Sequence, residues 1–346
     1  MPTSHLHLAV ALDGAGWHPA AWREPGARPG ELFTARYWTD LVQEAERGLL
    51  DLVTIEDSLG PRPVRLDAVL IAARVAPLTR HVGLVPTATV THTEPFHISK
   101  AIATLDYVST GRAGWQVQVS PSPDEAAHFG RRAVPPAAEL YDEAADYVEV
   151  VRRLWDSWED DAEIRDATTG RFVDRSKLHY IDFQGRWFSV KGPSITPRPP
   201  QGQPLVTATG DELAGRGVDL VYVPPTEPAR PDVLTFGDLV VFLDDTAAQA
   251  TDRRARLDAD DPYTPDVPIV AGTPAELADR LQSWQAQGFA GFRLRPAAIP
   301  HDLTAITRRL VPELQRRGAF RTAYDEETLR GRFGLARPAN RYAART

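Results

Sequence analysis

The sequence predicts an α/β protein built from repeated strand–helix units, and two patterns support this prediction. Short apolar runs, such as residues 6–12 and 50–55, alternate with longer segments in which apolar residues recur at helical spacing. Polar or glycine-containing turns separate the two kinds of segment, and a regular strand–helix order favours a parallel sheet. Right-handed crossovers can close such a sheet into a barrel or leave it open and doubly wound, and periodicity does not choose between these architectures.

The first half of the chain contains four predicted strands, each followed by a helical segment. Asp67 is placed to cap a helix that Pro77 ends, and Gly48 ends the helix before it. Residues 115–119 alternate apolar and polar side chains, as a half-buried strand does. The predicted strands are residues 6–12, 50–55, 81–86 and 115–119, and the predicted helices are residues 37–48, 68–76, 95–105 and 138–158.

The second half is less regular. Residues 183–190 predict a hairpin, and the proline-rich residues 194–204 predict an extended segment. Thr273, Pro274 and Glu276 form the start signal of a well-capped helix. The remaining predicted strands are residues 205–208, 219–223, 239–243 and 291–295, and the last long helix is residues 303–317.

Composition excludes several classes of function. The chain has 346 residues and a net charge of −8, with no clustered basic residues, so a nucleic-acid partner is not expected. It contains no cysteine, which excludes disulfides, thiolate metal sites and a cysteine nucleophile. No His, Asp or Glu pair has the spacing of a metal site. The absence of a secretory leader and of an apolar run of ~20 residues predicts a cytoplasmic protein without a membrane span.

Residues 111–120 carry the most informative motif. They read Gly-Arg-Ala-Gly-Trp-Gln-Val-Gln-Val-Ser and follow a Leu-Asp pair at residues 105–106. This stretch resembles the strand-four signature of the bacterial luciferase-like flavin monooxygenases, in the branch that includes nitrilotriacetate and dibenzothiophene-sulfone monooxygenases. Leu-Trp-Asp-Ser-Trp at residues 154–158 and Pro-Gln-Gly-Gln-Pro at residues 200–204 resemble further motifs of that branch.

The resemblance implies a TIM (β/α)8 barrel of the luciferase-like type. One domain would cover residues 1–337, with an inserted hairpin and extended segment at about residues 160–204 and a shortened region after strand six. Residues 338–346 would form a C-terminal tail. Residues 224–231 contain four prolines and cannot form the longer helix that the family places there.

The implied activity is that of a flavin-dependent monooxygenase. The family uses reduced FMN and oxygen on small organic substrates, binds the flavin at the carboxyl ends of the barrel strands, and usually obtains it from a separate flavin reductase. A homodimer formed through barrel helices is also implied by the resemblance. Two alternatives remain open at this point: an oxidoreductase that uses F420, and a non-catalytic barrel that serves as a subunit or binding protein.

Candidate site residues follow from the strand ends and from the resemblance. Gln116 replaces a family asparagine, and Tyr141 matches a family tyrosine near the flavin phosphate. The competing interpretations are a loop acid that caps a turn for Asp57, strand-end hydroxyls that bond their own backbone for the threonines, and solvated loop side chains for the histidines. The cofactor-binding candidates are Asp57, Thr89, Thr91, Gln116, Ser120, Tyr141, Thr209 and Gly210, and the candidate general bases are His18 and His92.

One departure from the family concerns the phosphate. The family has two serines before a helix after strand five, and their hydroxyls and the helix N-terminus hold the phosphate. Here either Asp211 replaces a serine, or the loop is shortened so that Gly210 leads straight into the helix. Because an acid ~4 Å from a phosphate costs about 1 kcal/mol per charge pair even in water, FMN binding is expected to be weakened or rearranged.

Overall fold

Eight parallel strands close into a barrel in the computed structural model, which describes residues 5–60 and 64–343. The two ends of the expected domain and tail, residues 1–4 and 344–346, lie outside the described residues. Together with strands outside the barrel, the strands of the described residues are, in chain order, β1 His7–Leu12, β2 Leu52–Ile55, β3 Gly83–Thr89, β4 Gly114–Gln118, β5 Glu163–Asp166, β6 Arg171–Val173, β7 Phe183–Gln184, β8 Ser189–Val190, β9 Leu205–Thr209, β10 Leu220–Val223, β11 Leu234–Leu243, β12 Ile269–Gly272 and β13 Gly291–Pro296.

Helices cover the outside of the barrel. Asp67 accepts a hydrogen bond from the Leu70 amide at the start of the second helix, as its sequence position predicts. The helices are α1 Ala35–Arg47, α2 Ala68–Val75, α3 Pro95–Val108, α4 Pro123–Phe129, α5 Ala137–Asp156, α6 Ala247–Asp260, α7 Pro274–Gln285, α8 His301–Ala305, α9 Val311–Arg316 and α10 Leu329–Arg332.

The barrel closes because β13 pairs with β1, and β10 pairs with β11. The order around the ring is β1, β2, β3, β4, β9, β10, β11 and β13. The two small antiparallel hairpins, β5–β6 and β7–β8, lie between β4 and β9 in the chain, inside the expected insertion at residues 160–204. The predicted TIM barrel with an inserted hairpin is therefore confirmed.

Two layers of apolar side chains hold this arrangement. Alternate residues of each strand point inward and outward. The outward ones pack against the helices, and the inward ones fill the amino-terminal half of the barrel. Leu329 of α10 and Phe333 join the inner layer and cover that end. The opposite end, where the strands finish, is left for polar side chains.

Several elements differ from the sequence-based expectation. β11 begins at Leu234, five residues before the predicted start at residue 239. Its first half was not predicted because Gly237 and Asp238 interrupt the apolar pattern of the sequence. β12 was not predicted and pairs with the second half of β11. The helix expected after Gly210 is absent, since residues 211–217 form turns. The long helix expected at residues 303–317 is divided, because a π-helical turn at Ile306–Leu310 joins α8 to α9. Pro312, the second residue of α9, lacks the amide hydrogen that a regular helix needs.

The described part of the C-terminal tail lies against α5 and the insertion. The side-chain amide of Asn340 donates to the carbonyl oxygens of Asp156 and Trp158, at 2.8 and 2.7 Å. The ring of Tyr342 stacks on His179 at a centroid distance of 5.3 Å. Among the residues described, no helix combines the length and the apolar character that a membrane span requires.

Candidate active site

A cavity of about 330 Å³ opens where the barrel strands end. It lies at the carboxyl end of the barrel, where loops of a TIM barrel form active sites. Its lining mixes polar side chains from opposite sides of the ring with aromatic and aliphatic ones. The lining residues are Trp17, Glu56, Gln116, Val117, Gln118, Val119, Tyr141, Ala208, Thr209, Leu213, Asp266, Arg293 and Arg295.

The floor of the cavity is built on the fully buried carboxylate of Asp238, in the middle of β11. Arg293 and Arg295 both point inward from β13, because they are two residues apart on one strand. Each guanidinium donates two hydrogen bonds to Asp238, those of Arg295 at 3.0 and 2.6 Å. Burial alone would raise the pKa of Asp238, but the two guanidinium groups lower it overall.

Arg293 also connects the floor to the other side of the barrel. Its Nη1 donates to the side-chain oxygen of Gln116 at 2.6 Å, and its Nη2 donates to the Thr209 hydroxyl at 3.3 Å. The Gln116 amide nitrogen then donates to Glu56 at 3.1 Å and to the Thr87 hydroxyl at 3.0 Å. One chain of hydrogen bonds therefore fixes side chains of β13, β4, β9, β3 and the exit of β2.

Two aromatic rings hold the arginines in place. The Arg293 guanidinium lies 4.0 Å from the centroid of the Tyr222 ring, and that of Arg295 lies 4.2 Å from the centroid of a Trp17 ring. Such cation–π contacts are favourable where the cation is shielded from water. Trp17 also lines the cavity, so the site offers a flat aromatic surface next to a rigid polar floor.

Three of the residues predicted from sequence line this cavity: Gln116, Tyr141 and Thr209. Gly210 follows Thr209 directly and has a φ of +78°, a conformation that a non-glycine side chain rarely adopts. Gln116 of β4 and Thr209 of β9 thus meet at the carboxyl end of the barrel, and the start of α5 brings Tyr141 to the same cavity.

His18 and Asp57 lie outside the lining of the cavity. His18 is buried, its Nδ1 accepts from the Ala20 amide at 3.1 Å, and its Nε2 lies 3.1 Å from Asp258. Asp57 accepts hydrogen bonds from the amides of Ser58 and Ala68, at 2.8 and 3.0 Å, so it ties its own turn to the start of α2. Burial raises the pKa of Asp57.

A second group of predicted residues gathers at the exits of β3 and β4 and, like His18 and Asp57, does not line the cavity. Thr91 accepts a hydrogen bond from the Ser120 amide at 3.0 Å, and Thr89 lies on β3 two residues earlier. His92 is buried with a φ of +71° and stacks on Phe129. Both ring nitrogens of His92 and the Ser120 hydroxyl lack a hydrogen-bond partner within the described part of the chain. Burial, followed by the charge of Arg132, lowers the pKa of His92.

Two acidic residues, Asp211 and Glu212, follow the exit of β9. The Asp211 carboxylate pairs with Arg230 at 3.1 Å, and Arg230 also pairs with Asp232 at 3.1 Å. The Glu212 carboxylate occupies the space that a Cβ at Gly210 would need. It also lies beside Tyr141, whose pKa is raised by burial and by this carboxylate.

The site fits a flavin ring better than it fits a flavin phosphate. The cavity volume, the Trp17 ring in its lining and the polar floor suit a flat heteroaromatic ring with hydrogen-bonding edges. At the exit of β9, by contrast, there is neither a serine nor the N-terminus of a helix, and two carboxylates are present. The alternative in which Gly210 leads directly into a helix is therefore wrong.

Sequence reasoning missed the residues of the floor. Arg293 and Arg295 alternate on a strand, and Asp238 stands in the middle of an apolar strand. A charge on the inner face of a strand must be paired, so these three residues could have been matched with one another. Glu56 also lines the cavity, whereas the residue predicted at the end of the second strand is its neighbour Asp57.

Sequence comparison places these features among known proteins. The profile described as "Luciferase-like monooxygenase" matches residues 15–230. The chain is 30% identical to N-acetyl-S-(2-succino)cysteine monooxygenase of Bacillus subtilis (strain 168), with 98% of both chains covered. It is 29% identical to nitrilotriacetate monooxygenase component A of Aminobacter aminovorans, again with 98% of both covered. The first alignment spans 433 positions, so that relative has segments with no counterpart among these 346 residues.

Solved structures give the same architecture. EDTA monooxygenase from Chelativorans sp. BNC1 superimposes with a TM-score of 0.83 at 24% identity, over 96% of this chain and 99% of the other. A coenzyme F420 dependent tetrahydromethanopterin reductase from Methanopyrus kandleri matches with a TM-score of 0.60 at 12% identity, covering 89% of this chain and 99% of the other. At these identities the likeness concerns the fold alone.

Proposed function

This chain belongs to the luciferase-like monooxygenase family and is a flavin-dependent monooxygenase, and we propose that it binds the ring of reduced FMN in the strand-end cavity and oxygenates a small organic substrate there. The observation that carries the proposal is the polar floor of that cavity, which Arg293 joins to Gln116 across the barrel. When bound, reduced flavin supplies the electrons with which oxygen is activated. The residues of the chain bind the ring, orient it and exclude water.

Each part of the floor has a defined task in this proposal. Gln116 is held at both ends of its amide, by Arg293 and by Glu56, so its orientation is fixed before a ligand arrives. Gln118 and Thr209 present polar groups at the wall, and Trp17 offers an apolar face. Preorganised groups of this kind cost little reorganisation when a ring binds.

His92 is proposed as the proton-transfer residue. It is buried, its two nitrogens have no partner within the described residues, and its lowered pKa keeps the ring neutral near pH 7. His92→Gln retains hydrogen-bonding capacity but cannot titrate. Turnover of the variant should fall while its affinity for reduced FMN stays unchanged, and an unchanged turnover would remove His92 from the proposal.

Anaerobic titration calorimetry with reduced FMN and with F420 tests the choice of cofactor. We expect micromolar binding of reduced FMN and much weaker binding of F420. Admission of oxygen to the FMN complex should then start oxygen consumption that depends on added substrate. Tight binding of F420 alone would instead support the oxidoreductase alternative, and binding of neither would support a non-catalytic barrel.

A separate reductase is proposed as the source of reduced flavin. One relative is named as component A of its monooxygenase, which fits an enzyme that receives its flavin from another protein. Since a reductase must regenerate the flavin with reducing equivalents from metabolism, we place the protein in the cytoplasm. Addition of a flavin reductase, FMN and NADH to the purified chain should replace chemically reduced FMN in the assay.

A homodimer is proposed through the face formed by α1 and α2. An apolar groove of about 290 Å³ runs between these helices, and Leu70, which lines it, is 70% exposed. Exposed apolar patches of this kind often mark protein–protein contacts. Light scattering should give twice the chain mass for the native protein and the single mass for Leu70→Asp. A monomeric native protein would contradict the proposal.

A further inference from the structure

The charged groups around the mouth of the cavity determine which part of a flavin can be recognised there. This inference rests on the proposed function, because it concerns the same ligand. If the ring lies on the floor, the tail of the flavin must leave through the mouth. The mouth is bordered on one side by the exit of β9 and Tyr141, and on the other by Trp17 and Asp266.

Carboxylates outnumber cations around the cavity. Each arginine is already paired: Arg293 and Arg295 with Asp238, Arg295 also with Asp266 at 2.6 Å, and Arg230 with Asp211 and Asp232. Glu212 and Glu56 add two further negative charges. Glu56 and Asp266 line the cavity and Asp238 supports its floor, while Asp211 and Glu212 stand in the chain between the lining residues Thr209 and Leu213.

The position of Glu212 makes the exit of β9 unsuitable for an anion. Its carboxylate lies against Gly210 and borders Tyr141, and the Gly210 amide already donates to the Tyr222 carbonyl at 2.8 Å. The turns at residues 211–217 offer no helix N-terminus to compensate. We propose that this rim discriminates against the phosphate of FMN, so that the chain recognises a flavin through its ring and its uncharged ribityl part.

The expected size of the effect follows from Coulomb's law. One charge pair at ~4 Å in a water-like medium changes affinity about fivefold, and solvent exposure of Asp211 and Glu212 keeps the effect near this lower limit. Reduced riboflavin, which lacks the phosphate, should therefore bind at least as tightly as reduced FMN. Added salt should improve the binding of FMN relative to riboflavin, because it screens the repulsion.

Anaerobic calorimetry with both flavins on the full chain tests this inference. The variant D211N/E212Q removes both charges with little change in shape and should bind reduced FMN at least fivefold more tightly, with riboflavin unchanged. The control D252N/E327Q removes two exposed carboxylates that do not line the cavity, and it should leave the ratio of the two dissociation constants unchanged.

The possible results separate the inference from the function on which it rests. If reduced FMN binds more tightly than reduced riboflavin, or if D211N/E212Q leaves the ratio unchanged, the rim does not discriminate against phosphate and the inference fails alone. If neither flavin binds the native chain, the proposed function fails and the inference fails with it. Equal or tighter binding of riboflavin, with a shift in the variant, supports both.

Discussion

At the scale of single residues, one carboxylate determines the floor of the site. Asp238 is fully buried and pairs with both arginines of the floor; their other acidic partners are Glu56, 3.6 Å from Arg293, and the exposed Asp266 beside Arg295. A buried ion pair contributes little net stability relative to apolar packing, but the loss of one partner is costly because the other charge remains. The floor is therefore rigid, and it depends on Asp238 more than on any exposed ion pair.

Asp238→Asn should lower the free energy of unfolding by roughly 3–5 kcal/mol, because both guanidinium groups lose their buried counterion. Urea unfolding measures the change. Asp266→Asn is the matched control: Asp266 is the other partner of Arg295 but its side chain is 65% exposed, so the loss should stay below about 1 kcal/mol. Equal losses in the two variants would contradict this account of the floor.

The residues of the site differ in how far sequence could predict them. Gln116, Tyr141 and Thr209 were recognised because each stands in a local motif or directly at a strand end. The partner of Gln116, however, is Arg293, which lies 177 residues away in the chain. No local pattern connects two such positions, so their contact emerges only when the barrel closes.

At the scale of elements, most helices and strands follow from local signals. The Thr273 hydroxyl accepts from the Glu276 amide at 3.2 Å and the Glu276 carboxylate accepts from the Thr273 amide at 2.8 Å, which is the reciprocal cap that the sequence predicts for α7. β12 and the first half of β11 were missed for a physical reason. Both depend on pairing partners from distant segments rather than on their own patterns.

Thr273→Ala should lower the free energy of unfolding by about 1 kcal/mol, because the Glu276 amide at the start of α7 loses the hydroxyl that caps it. Thr251→Ala provides a control within α6, where the threonine hydroxyl only bonds back to the Ala247 carbonyl. That substitution should change stability by less than about 0.5 kcal/mol. A larger loss for the α6 variant, measured by urea unfolding, would show that the cap does not stabilise α7 as argued.

At the scale of the whole molecule, a second buried carboxylate, that of Asp51, connects distant segments at the amino-terminal end of the barrel. Asp51 accepts hydrogen bonds from the Leu8 amide at 2.7 Å and from Arg321 at 2.6 Å, and it pairs with His7 at 2.9 Å. It thereby joins β1, the start of β2 and the C-terminal segment. Burial alone would raise the pKa of Asp51, but His7, Arg321 and Arg332 lower it to about 2.

Stability should therefore depend on the charge of Asp51 in acid. Its pKa is lower in the folded state than in the unfolded state, so the contribution is present above about pH 4 and is lost as the pH falls to about 2. Native protein should lose about 2 kcal/mol more over this window than Asp51→Asn does. Urea unfolding at a series of pH values tests this. The control is Asp252→Asn, which removes an exposed carboxylate on α6, and its free energy of unfolding should depend on pH as that of the native protein does.

The architecture of the whole molecule was predictable only in part from the residues themselves. Strand–helix alternation gave the α/β class, and the resemblance of residues 111–120 to the luciferase-like family distinguished a closed barrel from an open sheet. The exit of β9 could not be derived, because the choice between a helix and a series of turns depends on how residues 211–217 pack against α5 and Arg230.

The central claim is that the strand-end cavity holds the flavin ring, and a cavity-filling substitution tests it most directly. Gln118 lines the cavity and is not one of the side chains that bind Asp238 or Arg293. In anaerobic calorimetry, Gln118→Trp should weaken the binding of reduced FMN at least tenfold, whereas Gln118→Ala, which leaves the space open, should bind within about threefold of the native chain, since a wall contact contributes less than the loss of the space itself. Native-like binding by a folded Gln118→Trp variant would place the flavin elsewhere and contradict the claim.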